Sequence, residues 1–289
     1  MKDFPDTRFV KTQDLPDNLQ QIPDSPKEGL HVIGNPWPDN HKRLCIVGSR
    51  KITDYGQAVV DRLLSGLIGN PISIVSGLAM GIDAYAHKSA LKNGLHTVAF
   101  PGSGLSSKVI SPATNRLLAV DIINAGGGLV SEYDHNQKSA VWTFPRRNRL
   151  MAGLADAVLV IEAGIKSGTL ITARLALDYN TDVLTVPGSI FNPGSAGPHQ
   201  LLRDGAGLVQ NSDDILIALG MQTGTKAEID LNSLSDDEQI IYKLIRSNPI
   251  TKDELIRDSK LDTTRALSVI TMLELKGLTI ERQGNIYLK

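Results

Sequence analysis

From residue 44 onward, short apolar runs recur between longer amphipathic stretches, and few folds accommodate that rhythm. The runs are Leu44-Cys45-Ile46-Val47, Ile72-Ser73-Ile74-Val75, Thr97-Val98-Ala99-Phe100, Ala157-Val158-Leu159-Val160-Ile161 and Val183-Leu184-Thr185-Val186. Each has the length of a strand and lacks polar alternation, as a strand buried on both faces does. Helical periodicity fills the gaps, over residues 55–68, 82–93, 112–124, 146–154 and 168–179. Strands and helices in alternation require right-handed crossovers and a parallel sheet covered on both sides. Residues 41–220 therefore read as an extended Rossmann-like, doubly wound α/β domain with a mostly parallel sheet.

The flanks follow other rules. Residues 1–40 are rich in Pro, Asp, Asn and Gln, and read as an irregular extension that packs on the core through pieces such as Leu30 to Ile33. Residues 221–230 are polar and glycine-containing, and read as a linker. Residues 231–289 read as a winged helix. Ser235-Asp236-Asp237-Glu238 caps a helix running to about Arg246, Thr251 caps a second, and Asp262 caps a third that ends before Gly277. Leu278 to Leu288 then alternates around a hairpin turn at Gln283-Gly284-Asn285.

Composition excludes several classes. The lone cysteine, Cys45, rules out a disulfide framework or a cysteine metal site, and it sits where a small core residue belongs. The six histidines show no HxxxH or HExxH spacing, so no metal site is expected. There is no run of eighteen apolar residues and no signal-type h-region, so a cytoplasmic protein without a membrane span is expected. The net charge of -1 argues against a nucleic-acid partner only until it is divided along the chain. Residues 41–220 carry sixteen basic and thirteen acidic groups, and what matters is where the basic ones cluster.

Each strand run ends in small, flexible residues just before a helix. Gly48-Ser49-Arg50 follows the first, Ser76-Gly77 opens the segment after the second, Pro101-Gly102-Ser103-Gly104 follows the third, and Lys166-Ser167-Gly168-Thr169 lies beyond the fourth. In an open α/β sheet these carboxyl ends share one edge, where ligands bind. Glycine lets the backbone approach, and amides, hydroxyls and helix N-termini favour anions. Four such loops point to a ligand with several phosphates. None is a Walker A loop, and none forms a GxGxxG within a βαβ unit, so no nucleotide cofactor is expected.

A second cluster, Phe144-Pro145-Arg146-Arg147-Asn148-Arg149, opens a helix. Its arginines suit bidentate phosphate contacts, Asn148 adds donor and acceptor capacity, and Phe144 offers a face for a base. The competing reading is a solvated helix start with Phe144 in the core. Positive charge at a helix N-terminus opposes the dipole, which favours a bound anion there. Arg50 reads either as a surface group or as a phosphate clamp; Arg116 and Lys166 lie near other strand-end loops. Asp83 and Glu162 are the acids nearest this edge. They suit either acid–base work or the capping of helices and loops, and no nucleophile–base pair accompanies them.

These motifs, together with Lys166-Ser167-Gly168-Thr169-Leu170-Ile171-Thr172-Ala173 and Val186-Pro187-Gly188-Ser189, resemble the DNA-processing protein A family (DprA, also called Smf) in order and spacing. The resemblance implies sequence-independent binding of single-stranded DNA, protection of incoming DNA, dimerisation, and loading of the RecA recombinase during natural transformation. Carried over position by position, Gly48, Ser49 and Arg50 would hold phosphates with Ser76 and Gly77 beside them. Phe144 would form the base-contacting rim, Arg147, Asn148 and Arg149 the basic pocket, and Lys166, Ser167, Gly168 and Thr169 its far side. Two features depart from the family pattern. The proline-rich N-terminus does not read as a helical SAM-like domain, and Ser111-Pro112 stands where Tyr-Pro is usual, ahead of Asn115.

Two other classes compete. A nucleoside-monophosphate phosphoribohydrolase would also end its strands in phosphate loops, but its PGGxGTxxE signature is absent. A winged-helix regulator would need a basic reading helix, whereas residues 262–276 offer Thr263, Thr264 and Arg265 in a net-negative unit. A protein-contact or intramolecular role for that unit is expected instead.

Overall fold

The computed structural model describes residues 4–222, 234–247, 250–282 and 285–288. Two compact units divide the chain, Met1–Thr223 and Gly224–Lys289. The first unit begins with β1 (Arg8–Lys11), α1 (Asp17–Gln21), β2 (Gly29–Gly34), β3 (Lys42–Val47), α2 (Asp54–Ser65), β4 (Ile72–Ser76) and α3 (Ile82–Lys92). It continues through β5 (His96–Ala99), α4 (Arg116–Asn124), β6 (Gly128–Ser131), α5 (Thr143–Leu154), β7 (Ala157–Val160) and α6 (Thr169–Asp178). β8 (Asp182–Thr185), α7 (Ala196–Arg203), β9 (Gly207–Leu208) and α8 (Ser212–Ala218) complete it.

The nine strands form one sheet in the order β1-β2-β6-β5-β4-β3-β7-β8-β9. From β6 to β9 every pairing is parallel. The period-2 alternation of a strand sorts the central side chains onto two layers. Cys45, Val47, Val75, Val158 and Val160 face one apolar cluster with Leu150 and Met151 of α5 and Ala173 of α6. Leu44, Ile46, Ile72, Ile74 and Leu159 face another with Leu63 and Leu64 of α2 and Ala86 of α3. The expected Rossmann-like architecture is thus present. The chain walks from β3 outward to β6, then returns to lay β7 on the other side of β3. That reversal opens a crevice at the carboxyl ends of β3 and β7.

The N-terminal stretch corrects the expectation of an irregular extension over residues 1–40. β1 pairs antiparallel with β2, from Arg8↔Val32 to Lys11↔Gly29, and β2 pairs antiparallel with β6. Leu30, Val32 and Ile33 are fully buried in the sheet, while Leu19 and Ile22 pack beneath α5. Proline and aspartate around these short elements mask their pattern, and antiparallel pairing with β6 comes from residues about a hundred positions away. Arg8 and Lys11 on the outer strand place charge on the open sheet edge, which discourages edge-to-edge pairing.

In the second unit α9 (Asp236–Ser247), β10 (Ile250–Thr251), α10 (Lys252–Ser259), α11 (Thr263–Leu275), β11 (Thr279–Arg282) and β12 (Asn285–Leu288) make a winged helix. Its core gathers Ile241, Ile245, Leu255, Ala266, Ile270, Leu273 and Ile286. Thr251 and Glu254 form a reciprocal capping box, and Asp262 accepts from the Arg265 amide at 3.0 Å. From residue 223 onward the expected linker lies outside the described residues, as does Gln283-Gly284 of the expected turn.

Candidate nucleic-acid interface

Two loops meet at the crevice between β3 and β7. The Thr169 hydroxyl, at the start of α6, donates to the Gly48 carbonyl at the end of β3 over 3.0 Å. The Ser167 hydroxyl in turn donates to Thr169 Oγ1 at 3.0 Å and accepts from the Thr169 amide at 3.2 Å. Ser49 closes a small turn, donating to the Lys51 carbonyl at 2.9 Å and accepting from its amide at 3.1 Å. Its carbonyl accepts from the Ile82 amide at 3.0 Å, which brings the start of α3 to the same place. Gly48, Ser49 and Ser167 remain half-buried, while Arg50, Lys166 and Gly168 are exposed. The result is a shallow cup of backbone and hydroxyl groups, with one exposed cation in each of the two loops that form it, built at the N-terminal end of the ten-residue α6.

Beside the cup, the Arg50 guanidinium lies over the Phe144 ring at 5.5 Å from its centroid. Phe144 is half-buried, so it is neither a core residue nor a free one. Its position depends on Gly102 after β5, where a Cβ would come within 2.6 Å of the ring. Arg50 and Phe144 together present a cation beside an aromatic face, the pairing that sequence-tolerant single-strand binding uses.

The arginines of α5 part company. Residues three apart share a helix face, so Phe144 and Arg147 point one way and Arg146 and Arg149 another. Arg147 is 5% exposed and donates to the carbonyls of Gly77 and Phe100, with its Nε 3.1 Å from Asn148 Oδ1. It staples the carboxyl ends of β4 and β5 together, so the expected phosphate-binding role for Arg147 is corrected. Asn148 is half-buried and committed to Arg147. Gly77 is buried against the guanidinium, where a Cβ would sit 2.2 Å from Nη1. Burial raises the Asp83 carboxyl above its ordinary range, against the pull of Arg147 and of hydrogen bonds with the Ala79 and Gly77 backbone. Arg147 is shifted down by the same burial, against the opposing charge of Asp83.

Arg149 turns away from the cup. It donates to Glu132, whose other oxygen lies 2.9 Å from Arg146 Nε. Both arginines border a separate cleft of about 840 Å³ with Phe9, His31 and Lys27. Ser76 is fully buried and donates to the Ile46 carbonyl at 2.6 Å, so its hydroxyl fastens β4 to β3. Arg116 donates to the Lys108 carbonyl at 2.8 Å and pins the loop before α4. The structure therefore gathers Gly48, Ser49, Arg50, Phe144, Lys166, Ser167, Gly168 and Thr169, and assigns Ser76, Gly77, Arg116, Arg147, Asn148 and Arg149 to other contacts.

The two acids near this edge are occupied. Glu162 accepts from the Thr53 amide at 3.1 Å and its hydroxyl at 2.5 Å, fixing the start of α2, and Asp83 is spent on the loop after β4. No group of three metal-ligating side chains occurs among the described residues. Sequence reasoning passed over the exposed Ile165, Ile190 and Phe191 in the loops after β7 and β8. The available signal was an Ile-Phe pair set among Gly, Ser, Asn and Pro at a strand end.

An extended Rossmann sheet with a hydroxyl-lined, aromatic-rimmed cup at its switch point, carrying a winged helix, defines a class of nucleic-acid-handling proteins rather than dehydrogenases. The chain belongs to the DNA recombination-mediator protein A family, whose model matches residues 6–220; that of the DprA winged helix domain matches residues 225–285. It is 42% identical to Protein Smf of Escherichia coli over 174 residues, 60% of this chain and 46% of that protein. It is 40% identical to DNA processing protein DprA of Streptococcus pneumoniae over 201 residues, 70% of each chain. The chain thus spans about half the length of the Escherichia coli relative. The solved structure of the Streptococcus pneumoniae protein superposes with a TM-score of 0.67 at 36% identity, covering 74% of this chain and 75% of that one. DNA processing protein A of Helicobacter pylori, solved for its single-stranded DNA binding mode, gives 0.64 at 28% identity, covering 75% and 96%.

Proposed function

We propose that this protein is a non-enzymatic recombination mediator that binds single-stranded DNA without sequence preference, protects incoming strands and loads RecA recombinase onto them during natural transformation. It acts in the cytoplasm as a homodimer. The observation that carries this reading is the convergence of Arg50 on Phe144 beside the cup formed by Gly48-Ser49 and Lys166-Ser167-Gly168-Thr169. Phosphates sit in the cup between Arg50 and Lys166, and a base stacks at Phe144. Family membership and the single-stranded DNA binding mode of the Helicobacter pylori relative support it. With Asp83 and Glu162 both engaged in holding loops, no acid–base pair at this edge favours nucleotide hydrolysis. No helix among the described residues is long and apolar enough to cross a membrane. The winged helix serves protein or intramolecular contact rather than duplex reading, because its unit is net negative and α11 offers a single arginine, Arg265, which pairs with Asp237 of α9.

Fluorescence anisotropy with labelled oligo-dT tests the reading. Arg50→Ala should weaken binding by roughly tenfold, the value of one lost charge-assisted or stacking contact, while Arg62→Ala on the exposed face of α2 leaves it unchanged. Affinity should fall steeply with salt, and duplex or nucleoside monophosphates should compete poorly. Equal losses for the two variants, or displacement by a monophosphate, would reject the site.

A further inference from the structure

The carboxyl edge carries a second exposed apolar group beyond the cup. Phe191 is 90% exposed, its neighbour Ile190 81% and Ile165 71%. Ile165 immediately precedes Lys166 of the cup, and Ile190-Phe191 lies after β8, the strand next to β7. The loop that carries them is fixed at its base. The Tyr55 hydroxyl donates to the Pro187 carbonyl, His199 donates to the Gly188 carbonyl at 3.1 Å, and Asn192 accepts from the Gly194 amide at 2.8 Å. The Ala163 amide donates to the Gly194 carbonyl at 2.7 Å and ties this loop to the one that forms the cup. A well-anchored loop that holds an aromatic ring almost wholly in water is holding it for a partner.

We infer that Phe191, flanked by Ile190 and Ile165, is a second base-stacking platform, on the opposite side of the phosphate cup from Phe144. This rests on the single-strand reading above and extends it. The occupant is the same DNA strand, because the loop that carries Phe191 is tied to the loop that forms the cup through the Ala163–Gly194 hydrogen bond. Residues 187–192 contain no acid to repel the strand's phosphates. The ends of β5, against which Phe144 packs, and of β8 are four strands apart along the sheet order. Strands are spaced by about 4.8 Å, so the platforms stand roughly 15–20 Å apart. About five stacked nucleotides at about 3.4 Å each bridge that distance. The platform therefore contributes only to strands long enough to reach it.

The test compares oligo-dT of about sixteen and about four nucleotides, within the range that single-strand sites occupy. Phe191→Ala removes no packing, so it should fold as the parent does. It should weaken binding of the longer strand by roughly tenfold and leave the shorter unchanged, with Phe191→Trp restoring affinity. Ultraviolet crosslinking of the longer strand carrying 5-iodouracil should map to Phe191. Phe191→Ala with full affinity at both lengths, while Arg50→Ala is impaired, would reject the platform and leave the primary site standing. A shift in sedimentation without a change in affinity would make the patch a contact between copies and reject it too. Failure of the parent protein to bind either strand would reject the primary reading.

Discussion

Two arginines at one sheet edge illustrate how little an identity says about a role. Arg50 is exposed and lies over an aromatic ring, whereas Arg147 is sealed inside and donates to the carbonyls of Gly77 and Phe100. These two positions should therefore respond differently to substitution, and Phe144 and Arg149, which share a helix with Arg147, differ again. Arg147→Met leaves two buried carbonyls without a donor and removes the charge that faces Asp83. The expected cost is about 3–5 kcal/mol of unfolding free energy, read by urea denaturation. Arg50→Ala should leave the urea midpoint where it was. Unchanged stability with lost DNA affinity in Arg147→Met would return this arginine to the phosphate pocket. Composition and helix phase made the motif visible as a basic cluster. Burial of one of its members depends on where β4 and β5 end, which lies 45 or more positions earlier in the chain.

Elements divide in the same manner. β3, β4, β5, β7 and β8 announced themselves as short apolar runs without polar alternation, whereas β6 and β9, which pair in parallel beside β5 and β8, did not. The caps of the winged helix were equally open, since Thr251 with Glu254 and Asp262 with Arg265 act over three residues. β1 and β2 were not, because four- and six-residue strands among prolines carry little periodic signal, and β2 gains its place by pairing with β6. Two of the strand-end loops that sequence placed at one sheet edge do meet there, at Gly48 and Thr169, and Ser76 shows the limit: the last residue of a buried strand points inward. If β2 is integral to the sheet, Leu30→Ala should cost about 2–5 kcal/mol, as deletion of a buried leucine does. Phe9→Ala on the half-exposed edge strand should cost less than about 1 kcal/mol. Calorimetric or urea unfolding of the two variants compares them directly, and a negligible loss at Leu30 would make the strand pair an appendage.

At the scale of the whole molecule, the central layers bury histidine as well as aliphatic side chains. His87 of α3 is fully buried against Thr97, at 2.7 Å, and desolvation drives its pKa from 6.5 down to about 3. Its folded value lies below its unfolded one. Between pH 6.5 and about 3 the unfolded chain takes up a proton that the native state refuses, so stability falls as the solution becomes more acidic. The slope from this group is about 1.4 kcal/mol per pH unit in that window, and its contribution is fully present above pH 6.5. Urea unfolding across this range should show the decline, and His87→Gln should flatten it. His41 and His96 are also lowered by burial, so part of the slope should remain in that variant. An unchanged slope would mean that His87 already titrates normally in the fold. What the amino-acid sequence determined alone was everything carried by near neighbours: strand and helix periods, caps, the glycine loops at strand ends and hence the edge where a polyanion would bind. Tertiary structure decided which of those groups line the crevice between β3 and β7, which arginine becomes a staple, and that β1 and β2 extend the sheet. Those outcomes depend on contacts between segments tens to a hundred residues apart, and no local pattern encodes which face of a residue a distant strand will cover.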